Sequence, residues 1–367
     1  MKILLIGEYS NVHWTLSQGL RALGHEVTVL SDGDGWKNYP RTLDLKRTSY
    51  NRLSGIRYLL RLIRLLPHLR GYDVVQLINP MFLEIKAERM LPVYKYLRRH
   101  NGRVFLGAYG MDRYWVQAGC DGKSFRYSDF NIGSRLRESA EITQWKNEWL
   151  EGSKGRLNQY IAEDCDGIIA GLYEYWVSYH PYFGDKTTFI PFPINQSEIT
   201  PIHPRNDGKV RCFIGIQKTR NAYKGTDIML RALEEVAARY PNCEIVKAES
   251  VPFAQYQEMM NDSDLLLDQL YSYTPAMNGL LAMAKGLVLV GGGEPEAYDL
   301  LQEDTLRPII NVQPNQEDVV RKLSEIMENP DILPVLSKMS REYIKKYHDH
   351  IQVAQSYINF WKTSHKK

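Results

Sequence analysis

Residues 1–30 read MKILLIGEYSNVHWTLSQGLRALGHEVTVL, and the spacing of their apolar side chains decides the fold. The runs Lys2–Ile6 and Glu26–Leu30 are short and rich in Val, Ile and Leu, which is typical of buried strands. Between them Trp14–Leu23 has the spacing of a helix, and Gly24 ends it. Strand, helix and strand in this order predict a right-handed crossover within a parallel sheet.

The same alternation continues along the chain, with one interruption. In the first half it predicts strands at Val74–Ile78, Val104–Ala108 and Gly167–Ala170 and helices at Ser54–Leu69 and Phe82–Arg99. A stretch with four prolines, starting at Thr187, then breaks the pattern. The second half predicts strands at Val210–Ile216, Glu244–Lys247, Asp264–Leu267, Leu287–Val290 and Pro308–Asn311 and helices at Thr226–Arg239 and Pro275–Lys285.

The predicted elements divide the 367 residues into two α/β domains, which suits a chain of this length. We expect an N-terminal Rossmann-like domain over 1–190, a Pro-rich linker over 191–209, a C-terminal Rossmann-like domain over 210–345 and a last helix over 346–367. That helix could pack back on the N-terminal domain. The two domains are expected to face a cleft, because ligands of open α/β sheets bind beyond the carboxyl ends of the strands.

Composition narrows the class of protein. The net charge of +3 argues against a dedicated nucleic-acid partner. The four cysteines are scattered without a C-x-x-C pair, which predicts neither a zinc site nor a disulfide framework and favours a reducing compartment. The apolar run at the N-terminus is shorter than that of a signal peptide, and no run is long enough to span a membrane. We therefore expect a cytoplasmic protein.

The loop after the first strand, Gly7–Asn11, lacks the glycine pattern of a dinucleotide-binding turn, and the chain lacks a P-loop. The sequence therefore argues against a nicotinamide dehydrogenase and against a P-loop kinase.

A phosphate site is predicted in the C-terminal half instead. Lys218, Arg220 and Lys224 follow the strand Val210–Ile216, where three cations can neutralise a diphosphate. Further on, Thr274 can cap a helix whose first turn holds Pro275, which leaves amides that attract an anion. The alternative is a solvated basic loop and an ordinary capped helix.

Four segments, taken in order, resemble the GT-B glycosyltransferases of family 4. Residues 1–30 look like the opening of such enzymes, and Tyr223–Asp227 is similar to their "R…KG" donor-phosphate motif. Asn261–Leu267 resembles their "aDv" strand, and Leu280–Glu296, LLAMAKGLVLVGGGEPE, resembles their "EAMACGxPVV…GGxPE" signature. The resemblance covers nearly the whole chain.

The resemblance implies a hexosyltransferase that holds a nucleotide-sugar donor in the C-terminal domain and an acceptor in the N-terminal one. Arg220 or Lys218, together with Lys224, would pair with the donor diphosphate. Gly292, Gly293 and Glu296 would lie near the nucleotide or the sugar. The acceptor would be a hydroxyl of a glycan or lipid-linked glycan in bacterial surface polysaccharide synthesis. The family mechanism retains the anomeric configuration and uses no metal or cofactor beyond the nucleotide-sugar co-substrate.

The sequence departs from the family at the donor site. Family members carry two glutamates eight residues apart, and Tyr273 and Leu281 stand in those places here. Tyr273 is therefore a candidate nucleotide or sugar contact, and Glu294 is a nearby carboxylate that could substitute or could serve only at the surface.

In the N-terminal half, Tyr109–Asp112 resembles the family's "HGxD" turn, with Tyr109 in place of the histidine. Asp112 is a candidate for orienting or deprotonating the acceptor hydroxyl, or else it forms an Asx turn or a helix N-cap. His13 either points at the substrate or caps and packs the first helix. Tyr109 and Trp115 are candidate acceptor contacts. Trp115 belongs to an aromatic insertion at about 112–155, which could be a lid or a satellite subdomain.

Arg57–Leu66 mixes arginines with leucines at helical spacing. Such a helix can lie on an anionic membrane, or it can cover the sheet with its arginines in water. Two metal-like patterns, Asp32–Asp34 and His348–His350, are weak, and we predict no metal.

Two other functions remain open. A protein that binds a nucleotide sugar or glycan without catalysis is favoured by the missing glutamates. A nucleotide-sugar 2-epimerase shares the architecture but needs carboxylates near the sugar, and these are scarce in the C-terminal domain.

Overall fold

The structure is a computed structural model that describes residues 1–47, 49–202, 205, 207–216 and 221–364. The chain forms two compact units. Unit 1 contains residues 1–124, 138–193 and 350 onward, and unit 2 contains residues 125–137 and 194–349.

The strands are β1 (Lys2–Ile6), β2 (Glu26–Ser31), β3 (Leu43–Asp44), β4 (Val74–Leu77), β5 (Arg103–Ala108), β6 (Asn131–Ile132), β7 (Arg135–Leu136), β8 (Gly167–Ala170), β9 (Thr187–Phe189), β10 (Val210–Ile216), β11 (Cys243–Glu249), β12 (Leu265–Leu267), β13 (Val288–Gly291) and β14 (Ile310–Asn311). The helices are α1 (Val12–Ala22), α2 (Arg52–Leu65), α3 (Ala87–His100), α4 (Arg113–Cys120), α5 (Ala140–Lys146), α6 (Ser153–Asp164), α7 (Tyr173–Phe183), α8 (Asn221–Lys224), α9 (Thr226–Arg239), α10 (Phe253–Asn261), α11 (Met277–Lys285), α12 (Pro295–Leu300), α13 (Gln316–Glu328), α14 (Ile332–Tyr347) and α15 (His350–Thr363).

Unit 1 is built on a parallel sheet with the strand order β3-β2-β1-β4-β5-β8-β9. The central strand β1 pairs on both sides, with Leu4 opposite Thr28 of β2 and Val75 of β4. Its apolar residues are fully buried, as the continuous apolar run predicts for a strand covered on both faces. The order reverses between β1 and β4, and a reversal of this kind is where open α/β sheets bind ligands.

Helix α15 belongs to unit 1 and packs on α1. A side chain at Gly19 of α1 would come within 2.1 Å of the His350 carbonyl oxygen, so the two helices touch through their backbones. Trp361 of α15 is fully buried, and its indole N–H donates to Gln76 of β4 at 3.3 Å. The end of the described chain therefore supplies part of the core of the unit that begins it.

Unit 2 has a parallel sheet with the order β11-β10-β12-β13-β14. Its core lies between this sheet and helices α9 and α13, and Ile214, Met229, Leu233 and Leu323 are fully buried there. The short antiparallel hairpin β6–β7 also belongs to unit 2, although it comes from the first half of the sequence.

The predicted elements match the observed ones within a few residues, with small shifts at their ends. The helix predicted over Ser54–Leu69 runs over Arg52–Leu65, and the one predicted over Phe82–Arg99 runs over Ala87–His100. The sequence does not predict the edge strands β3 and β9, because runs of two or three residues carry no periodicity. No helix in the described ranges is long and apolar enough to cross a membrane.

Candidate functional site

The carboxyl edge of the unit 2 sheet carries three loops that hold most of the predicted donor-site residues. One loop follows β10 and leads to Lys224, the second covers Tyr271–Thr274 after β12, and the third covers Gly292–Glu296 after β13. These loops lie where a parallel α/β sheet binds its ligand. The two other predicted cations, Lys218 and Arg220, lie outside the described residues.

Lys224 is fixed by its backbone. Its carbonyl oxygen accepts a hydrogen bond from the Leu270 N–H at 3.0 Å. The next residue, Gly225, has a φ of +71°, and a side chain there would stand 2.7 Å from the Leu270 Cβ. The Lys-Gly pair of the motif therefore has a structural cause, because only glycine permits this approach.

Asp268 faces Lys224 and is a residue that sequence reasoning missed. Burial raises the pKa of Asp268, while the charge of Lys224 and a hydrogen bond with Asn278 act to lower it. Asp268 follows β12 directly, so its position at the end of a central strand was the available signal. Asp268 and Lys224 thus interact electrostatically at this edge of the sheet.

The predicted cap at Thr274 is wrong. Helix α11 begins at Met277, and its N-cap residue is Ala276, whose side chain makes no capping hydrogen bond. Ala276 is in an extended conformation, so the chain reaches the helix two residues later than the sequence suggested. Thr274 is buried, and its carbonyl oxygen accepts a hydrogen bond from the Ser272 hydroxyl at 2.5 Å.

The glycines after β13 allow two loops to meet. A side chain at Gly292 would stand 2.1 Å from the Ser272 carbonyl oxygen, and one at Gly293 would stand 2.8 Å from Ile309. With both glycines in place, the Glu294 N–H donates to the Tyr273 carbonyl oxygen at 3.2 Å. The glycine run therefore brings Tyr273 and Glu294 together, two residues that the sequence placed near the nucleotide or sugar.

Residues 125–137, which we call the strap, cross these same loops. The strap lies inside the aromatic insertion that the sequence analysis placed in the first domain, yet its contacts are with unit 2. The Arg126 N–H donates to the Tyr273 hydroxyl at 2.8 Å, and the Arg126 guanidinium pairs with Glu294 at 2.7 Å and also with Glu296. The Tyr127 hydroxyl donates to Glu294 at 2.5 Å, and its ring lies 4.9 Å from that of Tyr273.

The strap has a second point of attachment beside Lys224. The Tyr223 hydroxyl donates to the Asp129 carboxylate at 2.6 Å. The Arg137 guanidinium lies 3.8 Å from the centre of the Tyr271 ring and donates to the carbonyl oxygens of Asp129 and Tyr223 at 2.9 and 3.3 Å. The strap thus contacts all three loops of the carboxyl edge.

In unit 1, His13 and Glu8 lie at the end of β1. Glu8 is buried and accepts hydrogen bonds from the N–H groups of His13 and Trp14 at 3.2 and 2.9 Å, so it caps the first turn of α1. Burial, with a further contribution from Asp34, raises the pKa of Glu8 to about 8. Glu8 is a buried acid at the sheet edge that the sequence analysis did not single out.

His13 is fully buried, and its Nδ1 lies 2.8 Å from the Gly7 carbonyl oxygen. A carbonyl oxygen only accepts, so Nδ1 carries the proton and Nε2 presents a lone pair. Within the described residues that Nε2 has no hydrogen-bond partner. Burial lowers the pKa of His13 to about 3, so the ring stays neutral near pH 7.

Asp112 is the N-cap of α4. Its Oδ1 accepts from the Trp115 N–H at 2.8 Å and its Oδ2 accepts from the Tyr179 hydroxyl at 2.9 Å. The residue is fully buried, and burial raises the pKa of Asp112 to about 7. Of the two roles considered for Asp112, the structure shows the N-cap.

The predicted acceptor contacts Tyr109 and Trp115 are both buried in unit 1. The Tyr109 hydroxyl is hydrogen-bonded to that of Tyr357 of α15, and its ring stands edge-on to that of His13 at 6.3 Å. The Trp115 ring stands edge-on to that of Tyr175 at 5.9 Å. Tyr109 thus lies beside His13, and each of the two rings fills space in the core.

Among the described residues, no group of three or more His, Cys, Asp or Glu side chains is placed to hold a metal ion. In the Asp32–Asp34 pattern, the Asp34 carboxylate accepts from the Lys37 ammonium at 2.6 Å and from the Ser10 N–H at 2.8 Å.

Comparison with known proteins identifies the fold. No family model and no curated protein matches the chain. The chain is similar in structure to HepE of Anabaena, solved with UDP and glucose, at 10% identity over 99% of this chain and 100% of that one, with a TM-score of 0.59. Sucrose-phosphate synthase of Thermosynechococcus elongatus is 13% identical over 99% and 98% of the two chains, with a TM-score of 0.63.

WaaG, a glycosyltransferase involved in lipopolysaccharide biosynthesis, is 12% identical over 99% of this chain and 100% of its own, with a TM-score of 0.53. Identities at this level establish the fold alone. The predicted GT-B fold with two Rossmann-like domains is thereby confirmed.

Proposed function

We propose that the protein is a glycosyltransferase that binds a nucleotide-sugar donor in unit 2 and transfers the sugar to a hydroxyl of an acceptor held by unit 1. One observation carries the proposal: Lys224, the Tyr271–Thr274 loop and the Gly292–Glu296 loop share the carboxyl edge of one sheet. The GT-B fold supports it, because HepE, which has this fold, was solved with UDP bound.

Lys224 has the chemistry that the donor diphosphate requires. Breaking the bond between sugar and diphosphate places negative charge on the leaving group, and a fixed cation stabilises that charge. In our proposal Lys224 supplies this charge together with Lys218 or Arg220, and Tyr273, Gly292, Gly293, Glu294 and Glu296 surround the nucleotide or sugar. We further propose that the donor sugar is a hexose and that its anomeric configuration is retained. The coupling constant of the anomeric proton in the NMR spectrum of the product would report the configuration.

On the acceptor side, we propose that His13 acts as a hydrogen-bond acceptor. Its Nε2 lone pair suits the hydroxyl of a glycan, although a pKa of about 3 makes the ring a weak base. Tyr109 would act from the core of unit 1, because its ring stands edge-on to that of His13, and Trp115 stays a proposed acceptor contact. Asp112 would hold the start of α4 in place and so act on the site through the backbone.

We also propose that unit 1 contacts the cytoplasmic face of a membrane through α2. Four large apolar side chains of this helix, Leu53, Ile56, Leu60 and Ile63, are 48–67% exposed and follow a helical spacing. Four arginines of the same helix are also exposed: Arg52, Arg57, Arg61 and Arg64. An apolar stripe among cations suits an anionic lipid surface, where a lipid-linked glycan acceptor would be available.

The test is nucleotide binding by the full chain and a Lys224→Ala variant. A panel of UDP, GDP, ADP and dTDP is screened by thermal shift, and we expect one of them to stabilise the wild type. Lys224→Ala should lower the affinity for that nucleotide by about tenfold or more, because the variant lacks the cation that we propose to face the diphosphate. Lys338→Ala, which removes an exposed lysine of α14, is the matched control and should change nothing.

Transfer or hydrolysis of the matching nucleotide sugar then separates the candidate functions. Release of the nucleoside diphosphate supports the transferase, whereas binding without turnover supports the non-catalytic alternative. An epimerised nucleotide sugar supports the epimerase. If no nucleotide in the panel stabilises the wild type, the donor site is refuted.

A further inference from the structure

The strap places a cation from the first half of the sequence between two carboxylates of unit 2. The Arg126 guanidinium pairs with Glu294 and Glu296, which are separated in the sequence by Pro295 alone. Glu294 is only 3% exposed, so solvent does little to screen its charge. Glu296 is partly exposed, and its hydrogen bond with Arg126 lowers the pKa of the Glu296 carboxyl.

These two carboxylates stand at the edge where the proposed function places a diphosphate. Without a cation beside them, they would repel a ligand that carries two or more negative charges. Arg126 cancels that repulsion because its guanidinium reaches both carboxylates at once. The strap is also attached through Asp129, which contacts Tyr223, and through Arg137 at its end, which contacts Tyr271.

Three hydrogen bonds hold the Glu294 carboxylate in place. One carboxylate oxygen accepts from the Tyr127 hydroxyl at 2.5 Å and the Gln313 amide at 2.9 Å, and the other accepts from Arg126 at 2.7 Å. Tyr127 is buried, and its ring packs against Tyr273. Such a network holds the carboxylate in one orientation and ties the strap to the loop after β13.

We propose that the strap is a permanent wall of the donor site and that Arg126 is a positioning residue, which neutralises Glu294 and Glu296 so that the site accepts an anionic nucleoside diphosphate. The proposal rests on the proposed function, since it takes unit 2 to be the nucleotide-binding unit. It adds to that function a part of the donor site that lies about a hundred residues before the rest of the site in the sequence.

The experiment compares a charged and an uncharged ligand of the same base. Calorimetric titration with UDP and with uridine, or with the pair that the nucleotide panel selects, is carried out on the full-length wild type, Arg126→Ala and Arg126→Lys. We expect Arg126→Ala to lower the affinity for the diphosphate by about tenfold or more and the affinity for the nucleoside by less than about twofold. Arg126→Lys keeps the charge and should recover most of the loss. Arg135→Ala, an exposed arginine of the same strap, is the matched control.

A charge-removal variant tests the cause. If Arg126 acts by cancelling Glu294 and Glu296, adding Glu294→Gln and Glu296→Gln to Arg126→Ala should restore the ratio of diphosphate affinity to nucleoside affinity to within about threefold of the wild-type ratio, because contacts of the two glutamates with the base or sugar affect both ligands alike. Equal losses for diphosphate and nucleoside would mean a structural role and overturn the proposal. Tighter nucleotide binding by Arg126→Ala would mean that the strap blocks the site, and would also overturn the proposal.

The wild type separates this proposal from the proposed function. A wild type that binds no nucleotide refutes both. A wild type that binds, together with an Arg126→Ala variant that binds equally well, refutes the role of the strap alone.

Discussion

Asp112 illustrates how a residue can match a family motif and yet be placed for a different task. It occupies the last position of a turn that resembles "HGxD", and its carboxylate is fully buried at the start of α4. Both oxygens accept hydrogen bonds, one from a backbone N–H of the helix and one from Tyr179. A carboxylate with both oxygens engaged is well suited to hold a helix terminus.

Substitution of Asp112 separates the two roles. Asp112→Asn keeps the capping oxygen, so we expect donor turnover to stay within about threefold of the wild type, whereas loss of a general base would cost about a hundredfold or more. Asp112→Ala should lower the free energy of unfolding by about 2 kcal/mol, because it removes the cap and leaves the Tyr179 hydroxyl without this acceptor. Turnover assays and urea unfolding measure the two effects. A hundredfold loss in a stably folded Asp112→Asn variant would restore the role of base.

The pH dependence of stability gives a second readout. The pKa of Asp112 is raised by burial from its ordinary value to about 7, so the folded protein binds a proton between these values that the unfolded chain has released. The stabilising contribution is complete below pH 4 or so and is lost as the pH rises through about 7. Asp112→Asn removes this titration, so its stability relative to the wild type should increase from pH 5 to pH 8.

At the scale of single residues, the sequence predicted residues that belong to a recognisable motif after a strand. It missed Asp268 and Glu8, which follow strands without a motif, and it missed residues whose partners lie far away in the sequence. Tyr273, Glu294 and Lys224 could be placed at one edge because each follows a recognisable strand or motif. Arg126 and Tyr127 could not, since their partners are far along the chain and a hairpin of two-residue strands has no periodic signal. The cap at Thr274 was wrong because cap preference does not show where an extended segment ends.

At the scale of elements, α2 combines two faces that the sequence could not separate. Ser54, Tyr58 and Leu62 are buried and attach the helix to unit 1, while the apolar stripe of Leu53, Ile56, Leu60 and Ile63 is exposed among the arginines. The structure shows the covering role for one face of this helix, and contact of the other face with a membrane stays a prediction. One face covers unit 1, and the other is available to a partner surface.

The stripe predicts binding to anionic vesicles. We expect the wild type to sediment with vesicles of mixed phosphatidylglycerol and phosphatidylcholine, and the variant Leu60→Ser with Ile63→Ser to lose most of this binding, because burial of each such side chain contributes about 1.5–3 kcal/mol. Nucleotide binding in solution should be unchanged. Val335→Ser on α14, where the valine is 53% exposed, controls for a general loss of surface apolarity. Equal binding by the wild type and the stripe variant would refute the membrane contact.

At the scale of the whole molecule, each unit is completed by a segment from elsewhere in the chain. Unit 2 contains the strap, which comes from the first half of the sequence. Unit 1 contains α15, which follows residues 194–349 of unit 2 in the sequence. The domain pattern of alternating strands and helices was readable because it is local. For the last helix the sequence offered packing on the N-terminal domain, whereas the strap was placed in the first domain, because its partners in unit 2 depend on three-dimensional packing.

A substitution of Trp361 tests how much the stability of unit 1 depends on α15. The side chain is fully buried, and its indole N–H reaches β4, so Trp361→Ala should lower the free energy of unfolding of unit 1 by about 3–5 kcal/mol. Gln355→Ala changes an exposed residue of the same helix and should have no measurable effect. Calorimetry in the presence and absence of the selected nucleotide would follow the two units, and the nucleotide should still stabilise unit 2 in the Trp361→Ala protein. A loss below 1 kcal/mol would show that α15 is an accessory to the core.

The position of α15 also has a consequence for how the protein is made. A ribosome adds about 5–20 residues each second, so α1 leaves it well before α15, and residues 194–349 of unit 2 are made in between. Until α15 emerges, no helix covers the surface of α1 around Gly19, and unit 1 stays incomplete while unit 2 is made. We expect the growing chain to bind a chaperone during this interval, and to release it when residues 350–363 leave the exit tunnel.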